Sequence, residues 1–286
     1  MAERAVVAVS DAFAGVAADI VGAEIGPGRA ADLARAVGAA ARAAGEAVSP
    51  EALADRLRSA PPGDPVRRAF VEAITISETQ LFRLQGQFDA LADHVLPDLV
   101  AGRPPGRLRL WSAGCSTGEE AWSLAIALER SLPPGWDATV LATDIDEAAL
   151  ARARLGVYGA RSFRGVPERV RARWFTPAGP GHWEVDPSLR RRVRFAALNL
   201  VGDGYPSTAD GTAGVDVLLC RNVLMYLTPE ARAAVTARLA RCLAPGGWLA
   251  VAPAEVPAVA FPGLAVRQFP LAILHQRPPD PERGPR

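Results

Sequence analysis

The spacing of apolar residues changes character about a third of the way along the 286-residue chain. Before that point, residues 31–44 and 50–59 carry apolar positions three and four apart, the period of a helix with one buried face. Ser49-Pro50-Glu51 supplies a helix start, with proline at the first helical position, where its missing N–H has no intrahelical partner to lose. The Pro61-Pro62-Gly63-Asp64-Pro65 stretch breaks the pattern, and residues 66–95 resume it with an interruption at 74–79. Past Pro104-Pro105-Gly106, short apolar runs alternate with helical stretches. Strands are expected at 108–113, 139–143, 193–198, 215–220, 248–252 and 271–275, and helices at 119–130, 147–155 and 229–243.

Such alternation predicts an α/β fold, a doubly wound and mostly parallel sheet with helices on both faces. The last two strands have no helix between them, which predicts an antiparallel hairpin at one edge. Residues 244–247, Ala-Pro-Gly-Gly, read as a tight link from helix to strand. Within 173–192, Trp174-Phe175-Thr176 and His182-Trp183-Glu184-Val185 flank a Pro/Gly turn, the pattern of a small inserted β-hairpin. The expected organisation is a helical domain over 1–73 and an α/β domain over 74–286 that carries this insertion.

Composition narrows the function classes. Apolar residues make up 49% and charged residues 22%, as in ordinary globular proteins. A net charge of +1 gives the whole molecule no strong pull toward nucleic acid or anionic lipid. All 32 basic residues are arginine, a bias that points to a GC-rich genome and not to a function. Cys115, Cys220 and Cys242 form no disulfide framework and suggest a reducing cytoplasm. His94, His182 and His275 lie far apart and show no metal-ligand spacing. No run approaches the roughly 20 apolar residues that cross a bilayer.

Three strand ends carry candidate chemistry. After 108–113 comes Gly114-Cys115-Ser116-Thr117-Gly118-Glu119-Glu120, a loop whose glycines let backbone approach a ligand closely. A phosphate-cradling loop favours a following Lys and Ser/Thr, whereas two glutamates repel phosphate and attract a cation. They could equally complement the positive end of the helix. After 139–143 comes Asp144-Ile145-Asp146, in which Asp144 is placed to accept ribose hydroxyls and Asp146 to cap the next helix. A dinucleotide-dependent dehydrogenase could show the same pair of features. At the end of 215–220, Cys220-Arg221-Asn222 faces the ligand edge and Tyr226 follows. Tyr226 could instead pack under the loop and Arg221 pair with a surface acid. Upstream, residues 74–83 taken alone read as an amphipathic helix start capped by Ser77.

Together these segments resemble the chemoreceptor glutamate methyltransferases. In that family a stretch like Asn-Glu-Thr-x-Phe-Phe-Arg precedes a Gly-Cys-Ser-Thr-Gly-Glu-Glu loop, an Ala-Thr-Asp-Ile-Asp strand end, an Asn-Leu pair and Cys-Arg-Asn-Val-Leu-Ile-Tyr-Phe. All occur here in order between about residues 74 and 247, with Asn199-Leu200 as the pair. Ser77 replaces the usual asparagine, Leu81 the first phenylalanine, Ala121-Trp122 the Pro-Tyr pair and Leu227 the final phenylalanine.

The resemblance implies an S-adenosylmethionine (SAM) methyltransferase sheet of seven strands with an antiparallel last strand, an N-terminal helical domain and a small β-subdomain. It implies SAM as cofactor, S-adenosylhomocysteine (SAH) as product and no metal. Ser77, Thr79, Arg83, Ala113, Glu119, Asp144, Asn199, Leu200, Cys220 and Arg221 are then expected around the cofactor, with Arg83 and Tyr226 nearest the transferred methyl. The implied partner is the cytoplasmic part of a methyl-accepting chemoreceptor or a related signalling protein, met by a cytoplasmic monomer without nucleic acid or membrane insertion. Two other readings stay open. Eleven arginines against three acids between residues 152 and 194 could serve a nucleic-acid methyltransferase. The fold could also bind SAM or SAH as a signalling module without transfer.

Overall fold

The computed structural model describes residues 2–45, 48–101 and 104–280. Four helices open the chain: α1 (Ala2–Val21), α2 (Ala30–Ala44), α3 (Pro50–Ser59) and α4 (Pro65–Ile74). Ser49 Oγ accepts from the Ala52 N–H at 3.2 Å, and Asp64 Oδ1 accepts from those of Val66 and Arg67 at 2.8 and 3.1 Å. Each side chain thus satisfies donors that a helix start leaves unpaired. The inward stripes of Phe13, Val16, Leu33, Leu57, Phe70 and Ile74 meet in one buried cluster. Burial of each such side chain contributes roughly 1.5–3 kcal/mol.

An irregular stretch then leads into α5 (Gln85–Ala90), a π turn (Leu91–Val95) and α6 (Leu96–Val100). The segment at 74–83 does not form the helix start that its pattern suggests in isolation. Its backbone is drawn onto the rest of the molecule instead, with Ser116 Oγ donating to the Ser77 carbonyl at 3.1 Å and the Phe82 N–H to Ser123 Oγ at 2.8 Å.

The α/β part follows in chain order as β1 (Arg107–Ala113), α7 (Glu119–Ser131), β2 (Asp137–Asp144), α8 (Glu147–Leu155), β3 (Val157–Gly159), α9 (Glu168–Trp174), β4 (Phe175–Pro177) and β5 (His182–Val185). It continues with α10 (Pro187–Arg190), β6 (Val193–Ala197), β7 (Val215–Leu219), α11 (Pro229–Cys242), β8 (Leu243–Ala250), β9 (Ala265–Phe269) and β10 (Ala272–Gln276). Seven strands form the main sheet in the order β6-β2-β1-β7-β8-β10-β9. The pairs from β6 to β8 are parallel, and β10 runs antiparallel to both of its neighbours.

Alternation along each strand feeds two cores. Leu108 and Leu110 join Trp122 and Leu124 of α7 on one face, and Trp111 and Ala113 join Val235 and Leu239 of α11 on the other. The chain leaves β1 toward β2 on one side and returns to β7 on the other. The carboxyl end of β1 is therefore a topological switch point, where such sheets open a crevice.

Two local readings need correction. The edge hairpin is β9 with β10, and the strand expected at 248–252 is instead the antiparallel inner neighbour of β10. The Ala-Pro-Gly-Gly stretch at 244–247 is not a link before the strand but lies within β8. There the pairing to β7 shifts between Val215 and Val217, a bulge that absorbs the extra residues. Beside the main sheet, β4 and β5 form an antiparallel hairpin, and β3 adds a third strand on the other side of β5.

Candidate functional site

Three loops meet at the carboxyl ends of β1, β2 and β7. The first turns from β1 to α7 with Gly114 at φ +79°, Ser116 at +50° and Gly118 at +95°. A Cβ at Gly118 would stand 2.8 Å from that of Ala153, so both conformation and space require glycine there. The loop is fastened to β2. Gly114 and Cys115 N–H groups donate to the Thr143 carbonyl at 2.8 and 2.9 Å, and the Ser116 N–H donates to Asp144 Oδ2 at 2.7 Å.

Asp144 Oδ1 accepts from the Asp146 N–H at 2.9 Å. Burial raises the Asp144 pKa above the usual aspartate value, against the lowering effect of these N–H groups. A carboxylate can accept about four hydrogen bonds. The N–H groups of Ser116, Asp146 and Ile145 use part of this, and Asp144 keeps capacity toward the cavity that it lines.

The two glutamates of the loop diverge, because successive residues on a helix point about 100° apart. Glu119 turns inward, where Thr117 Oγ1 donates to Oε2 at 2.7 Å and Ser162 Oγ to Oε1 at 2.8 Å. Glu120 lines the cavity but is already paired, with Arg221 Nε donating to Oε2 at 2.6 Å and Ser112 Oγ to Oε1 at 2.7 Å. Glu120 is thus neutralised by Arg221, and Glu119, bonded by hydroxyls, does not line the cavity, so neither presents a free carboxylate to it. Arg221, which the sequence leaves open to a surface acid, meets this buried one. Its Nη1 also donates to the Arg83 carbonyl at 2.6 Å and to Gln87 Oε1 at 3.0 Å.

The cavity spans about 1060 Å³ of empty space out to its mouth. Thr79, Arg83, Asp144, Asn199, Leu200, Arg221 and Tyr226 all line it. Ser77, Ala113, Glu119 and Cys220, expected beside them, are not among its lining residues. The Ala113 and Cys220 side chains are sealed in the core behind β1 and β7, Glu119 is held as described, and Ser77 offers its carbonyl to Ser116. Ile145, Leu198, Leu200 and Val201 give one wall an apolar surface suited to a flat aromatic group. Cys115 also lines the cavity, but its thiol is buried and pushed well above the usual range by that burial. A thiolate nucleophile is thereby disfavoured.

Several contributors escape sequence reasoning. Val21, Ala23 and Arg29 come from the N-terminal helical region, which reaches over the mouth. The Glu24 N–H donates to the Tyr226 carbonyl at 2.8 Å, the Thr228 N–H to the Gly22 carbonyl at 2.8 Å, and Asn199 Nδ2 to the Ile20 carbonyl at 2.8 Å. Arg29 sits 5.8 Å from the centre of the Tyr226 ring. The other is Glu255, buried beneath the third loop. Gly22, a glycine between apolar segments, is the one local mark of a turn that could point to the first contribution. Nothing local signalled the second.

An acid with spare acceptor capacity beside a glycine loop and an apolar wall suits a nucleoside. Arg83 and Tyr226, which line the same cavity, suit an anionic second substrate. The family described as CheR methyltransferase, SAM binding domain, matches residues 77–258. Chemotaxis protein methyltransferase Cher2 of Pseudomonas putida is 36% identical over 211 residues, covering 71% of this chain and 74% of that protein. Chemotaxis protein methyltransferase 1 of Pseudomonas aeruginosa is 38% identical over 199 residues, covering 66% and 70%. A probable biofilm formation methyltransferase of the same organism, WspC, is 35% identical over 222 residues, covering 77% and 51%.

Proposed function

Since the chain belongs to the CheR methyltransferase family, with SAM as its cofactor, we propose that it forms methyl esters on glutamate side chains of a methyl-accepting chemoreceptor or related signalling protein. One observation carries this reading. Arg83 and Tyr226 line the same cavity as Asp144 and Leu200, so a cation able to orient an acceptor carboxylate stands beside the groups suited to a nucleoside. An acceptor that must be deprotonated would need a general base. A glutamate carboxylate is already ionised near neutral pH and needs none.

Bound SAM supplies an electrophilic methyl on a sulfonium. The chain's own residues position and shield. Asp144 would accept the ribose hydroxyls, Ile145, Leu198 and Leu200 would pack the base, and Thr79 and Asn199 line the same pocket. Arg83 orients the incoming carboxylate, with its guanidinium steadied by donation from Nη1 to the Glu78 carbonyl at 2.9 Å. Tyr226 donates a hydrogen bond beside it. Alignment of this kind contributes about 7–11 kcal/mol at most. Where these residues exclude water, the meeting of a carboxylate with the sulfonium would be favoured by neutralisation of their charges.

The relatives named for chemotaxis and biofilm formation support a receptor-like acceptor. We take residues 1–73 as a helical domain and 74–286 as the transferase domain with its insertion at 173–192, working in the cytoplasm as a monomer. Among the described residues no helix is long and apolar enough to cross a membrane.

Labelled SAM, offered with receptor cytoplasmic fragments from a genome that encodes this chain, tests the proposal. The expected product releases methanol in mild alkali, and Arg83→Ala and Tyr226→Phe each slow its formation. Base-stable label, or wild-type rates in both variants, would overturn it.

A further inference from the structure

We propose that Glu255 is a positioning residue for methyl transfer, holding the loop that carries Arg221 and Tyr226 in register with the cavity. Its side chain is 1% exposed and takes four backbone N–H groups. Oε1 accepts from Val223 at 2.9 Å and Met225 at 3.2 Å, and Oε2 from Asn222 at 3.0 Å and Ala252 at 2.8 Å. Three of the four donors belong to the loop that leaves β7, and the fourth to the turn that leaves β8. One carboxylate thus ties the ends of two adjacent strands together.

The loop needs such a tie. Asn222 stands at φ +59°, a left-handed conformation uncommon outside glycine that asparagine accepts more readily than most residues, and the Glu255 carboxylate fixes it through the Asn222 N–H. Beyond it Val223 packs against Gly114 so closely that a Cβ there would collide. The Tyr226 N–H donates back to the Val223 carbonyl at 3.1 Å, so the ring's place at the mouth follows from where residues 222–225 lie. On the other flank, Arg221 reaches Gln87, whose Nε2 donates to the Val251 carbonyl at 2.7 Å. Glu255 therefore holds the backbone between Arg221 and Tyr226, and its side-chain hydrogen bonds all go to backbone N–H groups and none to either of those side chains.

The chemistry of the tie is specific to a carboxylate. Each oxygen accepts two N–H groups, so glutamine would turn an NH₂ toward two donors. Aspartate keeps the charge and the acceptors but falls one methylene short.

This inference rests on the methyl-transfer reading above, and one experiment separates the two. Transfer rate and SAH affinity are measured for wild type, Glu255→Gln and Glu255→Asp, with rates normalised to SAH-binding sites. Misplacement by about 1 Å costs on the order of 100-fold, so Glu255→Gln is expected to lose about that much in kcat. SAH affinity should fall far less than kcat, because Asp144 is held by the Ser116 and Asp146 N–H groups and not by Glu255. Glu255→Asp should fall between. Combined with Tyr226→Phe, Glu255→Gln should cost much less than it does alone, because it acts largely through Tyr226. A wild-type kcat per binding site in Glu255→Gln, or full additivity with Tyr226→Phe, overturns the inference. So does loss of SAH binding in both variants, which would make Glu255 a folding residue. Wild-type protein that binds SAH and methylates no carboxylate refutes the methyl-transfer reading instead.

Discussion

The buried pair between Arg221 and Glu120 lends itself to a quantitative test. Arg221 is 2% exposed and Glu120 9% exposed, with Nε and Oε2 2.6 Å apart. Even at an effective dielectric of 20, unit charges 4 Å apart attract by about 4 kcal/mol, while removal from water costs several kcal/mol per ion. The pair therefore nets little as a pair, but breaking it strands a buried charge. Arg221→Met leaves Glu120 with only the Ser112 hydroxyl and should destabilise the protein by about 3–5 kcal/mol. Glu120→Met leaves the guanidinium with neutral acceptors, the Arg83 carbonyl and Gln87, and should cost a similar amount. A loss of that size is a large share of a typical stability of about 5–15 kcal/mol. The double variant should recover most of it, because two packed apolar chains replace two desolvated ions. Its methyl transfer should stay low, since the Arg83 carbonyl has lost its donor. Urea unfolding without ligand, followed by tryptophan fluorescence, measures the three differences. Single variants costing under about 1 kcal/mol, or a double variant at the sum of the singles, would refute the reasoning.

Three further outcomes follow. Asp144→Ala should weaken SAM binding about tenfold or more by calorimetry, because a hydrogen bond to a charged group contributes roughly 1.5–3 kcal/mol. Because burial raises the Asp144 pKa, wild-type affinity should decline on acidification at a pH above that expected for an ordinary aspartate, and Asp144→Ala should lack that decline. Burial lowers the His275 pKa below its usual 6.5, and its Nε2 meets no protein partner. The unfolded chain then takes up the proton first, so this residue's contribution to stability is present above pH 6.5 and is lost as pH falls through the lowered value. His275→Phe, which keeps the ring beside Phe261, should flatten that part of the stability-pH curve, and an unchanged curve would assign the acid sensitivity elsewhere.

The α/β alternation was legible because buried parallel strands are continuous apolar runs, and helix α8 was read to the residue. Strand β9 was not, because Val266, Arg267 and Gln268 are exposed at the sheet edge and no core imposes a pattern on them. The chemistry of the loops showed wherever it depends on a local motif, as at Gly114–Gly118 and Asp144. It failed for adjacent residues whose directions only a helix decides, so Glu119 and Glu120 could not be told apart. It failed again wherever partners are distant in sequence. Arg29 reaches Tyr226 across nearly two hundred residues, and Glu255 reads as a solitary acid in a Pro/Ala stretch until its four backbone donors are seen.

The central claim, that the crevice at the ends of β1, β2 and β7 holds the methyl donor with its reacting end toward Arg83 and Tyr226, is tested most directly by a crystal structure with SAH. The account predicts the ribose on Asp144, the adenine against Leu200 and the sulfur facing Tyr226. A nucleoside bound anywhere else, or bound in the reverse direction, would contradict it.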